Sequence, residues 1–344
     1  MEWSITPIKL ELKYTWKLSR NSSDYKINYL IGVKDGLHSA QGEVAPNIRY
    51  NETPEVIESC FEKFKSQASK VFNQDLGIHT FTNLLNELDL PHALRFGIES
   101  AYIHLQCTKN KQSLNQYLQI PAPSKVATCY TLPIMEHQLI AEFYNTYNLD
   151  RFQHIKIKVN AETGLEELAA LSKVCHKPLM IDANEAWNNP DDLIAFMKHL
   201  SPYHIAFVEQ PMPSAMEDAY RYLKPKSPYV IMADESCLAE AKMNELQQQF
   251  SGINMKLMKS GGYLNGLRII NESKQLGLKT MVGCMVETTL GMSGAWALCG
   301  LTDYADLDGY MIIKDEPFAI LSEENGWVEM KSNDIAKSIA RGLN

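Results

Sequence analysis

Three carboxylates, Asp182, Glu209 and Asp234, follow one another at steps of 27 and 25 residues, each closing a short apolar run: IDAN, VEQP and ADES. For one such acid, a helix cap or a solvated loop residue would be explanation enough. Three in succession, with no histidine or cysteine among them, make an oxygen-only donor set that suits a hard divalent cation, Mg²⁺ first. Brought together and half-buried, the three would repel strongly, so their charge alone calls for a cation. Lysines flank them in sequence: Lys156 and Lys158 in KIK before, Lys256 and Lys259 in KLMK after. A lysine beside another cation has its pKa lowered, which fits it for work as a base near neutral pH. Lys259 is expected outside the site, and its KSGG turn is read as ordinary loop structure rather than an anion cradle.

These residues need a scaffold that gathers them. Lys158, Asp182, Glu209, Asp234, Lys256 and Asp306 are separated by 24, 27, 25, 22 and 50 residues, the last interval spanning one further unit at KTMVGCMVE. The apolar runs are ATCYTLPI, HIKIKV, PLMIDAN, HIAFVEQP, YVIMADES, INMKLMKSGG, KTMVGCMVE and YADLDGY, with helical stripes such as Leu165, Leu168, Leu171 and Val174 between them. Eight strand–helix units imply right-handed parallel crossovers closing into a (β/α)₈ barrel of the TIM type. An open doubly wound sheet is the rival, but no GxGxxG opening accompanies it. Charges at the C-terminal ends of barrel strands converge at one mouth.

Residues 1–125 read differently. Ile5, Leu10 and Leu12, then KINYLIGVKDG and HSAQGEVAP, suggest three antiparallel strands. A helix should start at Thr53-Pro54, another covers PHALRFGIESAYIHL, and a polar loop runs around 108–125. The expected organisation is an α+β capping domain over 1–125, completed by 315–344, and a barrel over 126–314.

Within a barrel, Lys156 and Lys158 share a strand face and both point into the mouth. The second and sixth strands lie far apart round the ring, so Lys158 and Lys256 should face each other across whatever the acids hold. That arrangement takes a proton from one face of a carbon next to a carboxylate and returns one to the other, with a cation stabilising the enediolate between.

Composition narrows the partners. Of 344 residues, 41 are acidic and 33 basic, a formal net charge of −8. No basic tract invites nucleic acid or an anionic membrane, and no apolar run of about 18 residues could span a bilayer. The N-terminus lacks a signal-peptide layout. Seven scattered cysteines without a CxxC pair argue for a reducing, cytoplasmic setting. Oligomeric state is left open, a homo-oligomer included.

Taken in order and spacing, KIK, IDAN, VEQP, ADES and IKLMKSGG resemble the enolase superfamily, and within it the muconate-lactonizing-enzyme-like subgroup. RFGIESAYIHL and QGEVAP resemble that family's capping domain, so the likeness covers nearly the whole chain. It implies a mobile cap, Lys158 and Lys256 as an acid/base pair, and Asp182, Glu209 and Asp234 as Mg²⁺ ligands, with Asn184 and Glu235 as their neighbours. All nine histidines lie at or before His204, so no histidine base can come from the late strands, as it does in the mandelate-racemase-like branch. Asp306-Leu307-Asp308 resembles the Asp-x-Asp signature of dipeptide epimerases, in which both acids bind the substrate's free α-ammonium. Thr131 matches a position near the substrate carboxylate, and Lys156 is read as a further substrate-binding residue. The expected activity is a Mg²⁺-dependent isomerase that inverts the α-carbon of the C-terminal residue of Ala-X dipeptides. A loop at 19–26 offers Arg20 or Lys26 to an acidic side chain, yet its Asp24 and serines favour a small or apolar X. Alternatives are an L-Ala-D/L-Glu epimerase, an N-acylamino-acid racemase, an o-succinylbenzoate synthase, a cycloisomerase, or a catalytically silent barrel used for binding.

Overall fold

A computed structural model describes residues 1–17, 22–71 and 76–331. Three antiparallel strands open the chain: β1 (Glu2–Lys17), β2 (Ser22–Asp35) and β3 (His38–Val44), in the order β1-β2-β3. One face of this sheet is apolar because Trp3, Tyr29, Ile31 and Val33 turn inward, and Trp3 meets Phe64 edge-on with ring centroids 5.0 Å apart. Against it lie helices Pro54–Val71, Ile78–Asn86 and His92–Asn110. The first starts where Thr53 and Pro54 predict, with Thr53 Oγ1 accepting the Val56 N–H. β3 rides directly on the helix His92–Asn110: a side chain at Gly42 would come within 2.2 Å of the Gly97 carbonyl oxygen. The expected loop at 108–125 contains a short helix, Leu114–Leu118, started by a Ser113/Gln116 capping box.

β4 (Val126–Ala127) leads into eight parallel strands: β5 (Cys129–Leu132), β6 (His154–Lys158), β7 (Leu179–Asp182), β8 (Ile205–Glu209), β9 (Ile231–Ala233), β10 (Gly252–Lys256), β11 (Lys279–Gly283) and β12 (Tyr304–Ala305). They hydrogen-bond in sequence order, and helices fill the crossovers. This is the expected (β/α)₈ barrel with an N-terminal cap. The floor of its interior is packed by Cys129, Met180, Phe207, Met232 and Met281, all buried, so the barrel is a filled core with its chemistry at the mouth.

The last described segment, residues 306–331, meets both parts. Lys13 N–H donates to the Ile312 carbonyl and Lys314 N–H to that of Glu11, tying β1 to the segment after β12. β13 (Leu321–Glu324) and β14 (Trp327–Met330) form a hairpin on β4. Residues 332–344, the rest of the segment expected to complete the cap, lie outside the described residues, as does Arg20. Among the described residues no helix is long and apolar enough to cross a membrane.

Candidate active site

Strand register sets the level of the site. Lys158 pairs with Asp182 and Asp182 with Glu209, so these three stand in one rank across β6, β7 and β8. Asp234 follows β9 and is turned inward by Gln210, whose Oε1 accepts the N–H groups of Asp234 and Ser236 at 2.9 and 3.1 Å. Gln210 itself has a φ of 35°, and Asn184 and Glu185 have φ of 42° and 67°. The chain is left-handed at both strand ends where the acids are presented, a conformation found where a site over-determines its backbone.

Asp182, Glu209 and Asp234 are 1%, 0% and 4% exposed, and four lysines converge on them. Lys158 Nζ lies 2.7 Å from Asp182 Oδ2, and Lys256 Nζ lies 3.0 Å from Asp234 Oδ2. Lys156 Nζ stands between, 3.2 Å from Asp182, 2.8 Å from Glu209 and 2.8 Å from Asp306. Its approach to Glu209 Oε2 is an ion pair lying off the angle of a hydrogen bond. Lys259 corrects an expectation. It is 1% exposed, not outside the mouth, and it holds Asp234 Oδ1 at 2.5 Å. Its side chain is directed inward because the four residues after β10 coil into a helical turn, Leu257–Ser260, instead of extending the strand. The KSGG turn is held from the cap: Glu99 Oε1 accepts the N–H of Tyr263, the residue after the turn, at 2.6 Å, and Arg95 donates to the Ser260 and Gly261 carbonyls.

Asp306 and Asp308 belong to YADLDGY, the run read as the last strand. β12 ends at Ala305, so both lie just beyond it, and each is aimed by its own contact. Asp306 accepts from Lys156 and, at 3.3 Å, from Cys129 Sγ. Asp308 Oδ2 accepts the Thr131 N–H at 2.5 Å. Thr131, Lys156, Asp306 and Asp308 therefore form one group beside the lysine–acid cluster. Asn184 receives Lys158 Nζ on its Oδ1 at 2.8 Å and donates toward Glu235 Oε1 at 3.4 Å.

Charge defines what the site lacks. Six buried acids (Asp182, Glu209, Asp234, Glu235, Asp306 and Asp308) face four buried lysines (156, 158, 256 and 259), a formal excess of two negative charges. Burial, with Asp182 and Asp234 adding to it, pushes Glu209 up to about 7 even though Lys156 opposes the shift. Burial and then Asp306 push Asp308 up to about 7. Lys256 departs from the sequence expectation of a lowered base. Burial, the largest single influence, lowers it, but Asp234, Glu209 and Asp182 together raise it well above the usual lysine range. The oxygen-only donor set Asp182, Glu209 and Asp234, within a cluster whose acids outnumber its lysines, fits a divalent cation, and a cation on those acids would relieve the hold they have on Lys256.

Several contributing residues escaped sequence reasoning. Asn254, fully buried on β10, donates to Glu209 Oε1 at 2.8 Å. Its position two before Lys256 on the same strand face was the available signal. Gly283 exists to admit it, since a Cβ there would stand 2.4 Å from Asn254 Oδ1. Glu43 reaches from the cap to the Thr288 and Gly291 N–H groups at the start of helix Thr289–Leu298, with buried Glu287 alongside.

Residues 138–321 match the family model for enolase C-terminal domain-like proteins. The chain is 29% identical over 321 residues to the L-Ala-D/L-amino acid epimerase of Flavobacterium johnsoniae, covering 92% of this chain and 93% of that protein. It is 27% identical over 330 residues to a hydrophobic dipeptide epimerase of Flavobacteria bacterium, covering 92% of each. Among solved structures, the dipeptide epimerase of Enterococcus faecalis complexed with Mg and L-Leu-L-Tyr superposes with a TM-score of 0.85 at 25% identity, over 96% of both chains. The chain belongs to the enolase C-terminal domain-like family.

Proposed function

We propose that this protein is a Mg²⁺-dependent dipeptide epimerase, an isomerase that inverts the α-carbon of the C-terminal residue of Ala-X dipeptides. The observation that carries this reading is the approach of two lysines to one acid cluster from different sides, Lys158 at Asp182 and Lys256 at Asp234. Asp182, Glu209 and Asp234 would hold Mg²⁺. When bound, Mg²⁺ supplies the positive charge against which a substrate carboxylate can accept the electron pair of the neighbouring C–H bond.

The chain's own residues do the rest. The neutral lysine of the pair removes the α-proton on its face, and the protonated one delivers a proton to the opposite face, so one turnover exchanges their protonation states. Asn184 holds Lys158 in line from beyond the strand end. Lys156, bonded to Asp306, adds positive charge between the acid cluster and the ammonium-binding pair. Asp306 and Asp308 receive the dipeptide's α-ammonium, whose loss of hydration in a closed site needs compensating negative charge. Thr131 keeps Asp308 turned toward it.

A small or apolar X is favoured. Lys26 lies half-buried on β2, and exposed Asp24 two residues before it on the same strand puts a negative charge beside any acidic side chain that Lys26 would hold. The names of the two curated relatives, one acting on hydrophobic dipeptides, support the same class. The decisive experiment incubates a dipeptide panel in D₂O with Mg²⁺ and follows deuterium at the α-carbon by NMR. Exchange with epimerisation of Ala-X peptides is expected, and a protein inert toward every dipeptide in the panel overturns the reading.

A further inference from the structure

Arg49 belongs to the cap but ends on the barrel. Its Nη2 lies 2.5 Å from Glu185 Oε1, with the arginine 31% and the glutamate 6% exposed. The same carboxylate oxygen accepts the Ser214 N–H at 2.8 Å, and the Glu185 N–H donates to the Gln210 carbonyl at 2.7 Å. Glu185 is therefore held by the loops after β7 and β8 together. Arg49 is equally well founded. It sits in a single turn, Ile48–Tyr50, capped by Asn47, whose own N–H donates to buried Glu52. Glu52 in turn accepts the Ala93 N–H at the start of helix His92–Asn110, the buried helix of the cap. The ion pair thus joins two rigid mounts, one on each part of the molecule.

What it joins matters for the chemistry. Glu185 is the residue after Asn184, both are left-handed, and Asn184 Oδ1 accepts Lys158 Nζ at 2.8 Å.

We propose that Arg49 and Glu185 are positioning residues, a charge clasp between cap and barrel that fixes the Asn184–Glu185 turn and through it the placement of Lys158. Neither touches the reacting atoms. The clasp governs proton transfer on the Lys158 face and leaves the Lys256 face to its own supports, Asp234 and Lys259. This inference rests on the two-lysine epimerase reading.

The test uses the full-length, Mg²⁺-saturated protein and one dipeptide that the wild type epimerises. Deuterium entry at the α-carbon is measured from each epimer separately, and the epimer served by Lys158 is the one whose exchange Lys158→Ala abolishes. Glu185→Gln keeps the shape and can still accept the Ser214 N–H, so the fold is retained. It and Arg49→Gln are each expected to slow exchange on the Lys158 face about tenfold, while the other face changes by less than about threefold. Arg49→Glu should be worse, and the swap Arg49→Glu with Glu185→Arg should recover most of the loss. Raising salt should weaken the wild type on the same face, because a partly exposed pair is screened. Equal slowing on both faces, no slowing, or a swap no better than Arg49→Glu alone overturns the clasp while the epimerase reading stands. A wild type inert toward dipeptide α-protons overturns both.

Discussion

Lys256 Nζ rests 3.0 Å from Asp234 Oδ2, so a proposed base is bonded to a proposed metal ligand. The two roles are linked. Charge that Asp234 gives to a cation is withdrawn from the lysine, whose pKa its acid neighbours hold high. Removing metal with EDTA should abolish epimerisation, and Mg²⁺ should restore it. Binding of Mg²⁺ should also release protons from the site, read by titrating the metal into lightly buffered protein, since the lysine sheds its proton more readily. Full turnover by a demonstrably metal-free preparation would sink the metal assignment. Glu209→Gln should weaken Mg²⁺ retention, read as a smaller rise in Tm on adding Mg²⁺.

The two lysines make separable predictions. Replacing either Lys158 or Lys256 by Ala should lower epimerisation by about two to four orders of magnitude, the usual range for a positioned acid or base. Each single variant should still exchange the α-hydrogen of one epimer, because the remaining lysine works alone on its own face. Near-normal epimerisation by Lys256→Ala would show that the second base lies elsewhere.

How much of this was legible beforehand follows from where each residue sits. Lys158, Asp182 and Glu209 were readable because strand-end charges at even intervals have only one place to meet in a barrel. Lys259 was misread because a short helical turn follows β10 immediately, and nothing in KLMKSGG distinguishes that turn from more strand. The Asp306–Asp308 pair is legible from its resemblance to an Asp-x-Asp signature, but the groups that aim it, Lys156 and the Thr131 N–H, come from strands 150 and 177 positions away. Glu43 and Glu99 were invisible as partners because Glu43 meets Thr288 across 245 positions and Glu99 meets Tyr263 across 164. Contacts between cap and barrel leave no periodicity in the sequence.

Glu287 gives a stability prediction. It is 3% exposed, and burial, with Glu43 behind it, pushes it up to about 8, against an unfolded value of about 4.3. Between those values the folded protein keeps a proton that the unfolded chain releases, so this group's contribution to stability falls as pH rises toward 8. Glu287→Gln preserves the shape of the neutral acid. The variant should match the wild type in Tm at pH 5 and exceed it at pH 8; parallel Tm–pH curves would contradict the assignment.

Gly42 tests the seat of the cap. A methyl group there would stand 2.2 Å from the Gly97 oxygen and 2.8 Å from the Ala101 nitrogen, both backbone atoms of the buried cap helix. Backbone cannot yield as a flexible side chain would, so Gly42→Ala should cost at least about 1–3 kcal/mol, measured by chemical denaturation. An unchanged midpoint would mean that the sheet and helix can separate freely at that point.

Asp308 decides the substrate class. Its carboxyl, pushed up to about 7 by burial and then Asp306, ionises only as pH rises through that value. A dipeptide ammonium needs the ionised form, so KM for an unblocked dipeptide should worsen as pH falls below about 7. Charge-assisted hydrogen bonds of this kind contribute roughly 1.5–3 kcal/mol each. Asp308→Asn should therefore lower kcat/KM on a free dipeptide by about one to two orders of magnitude and remove the acid limb in KM. An N-acetylated dipeptide has no ammonium to place. It should be a poor substrate for the wild type, should lose little in the variant, and should show no such limb in either. An N-acylamino-acid racemase would reverse the preference, turning over the blocked compound faster than the free one. That result would overturn the dipeptide assignment and leave the lysine and carboxylate chemistry standing.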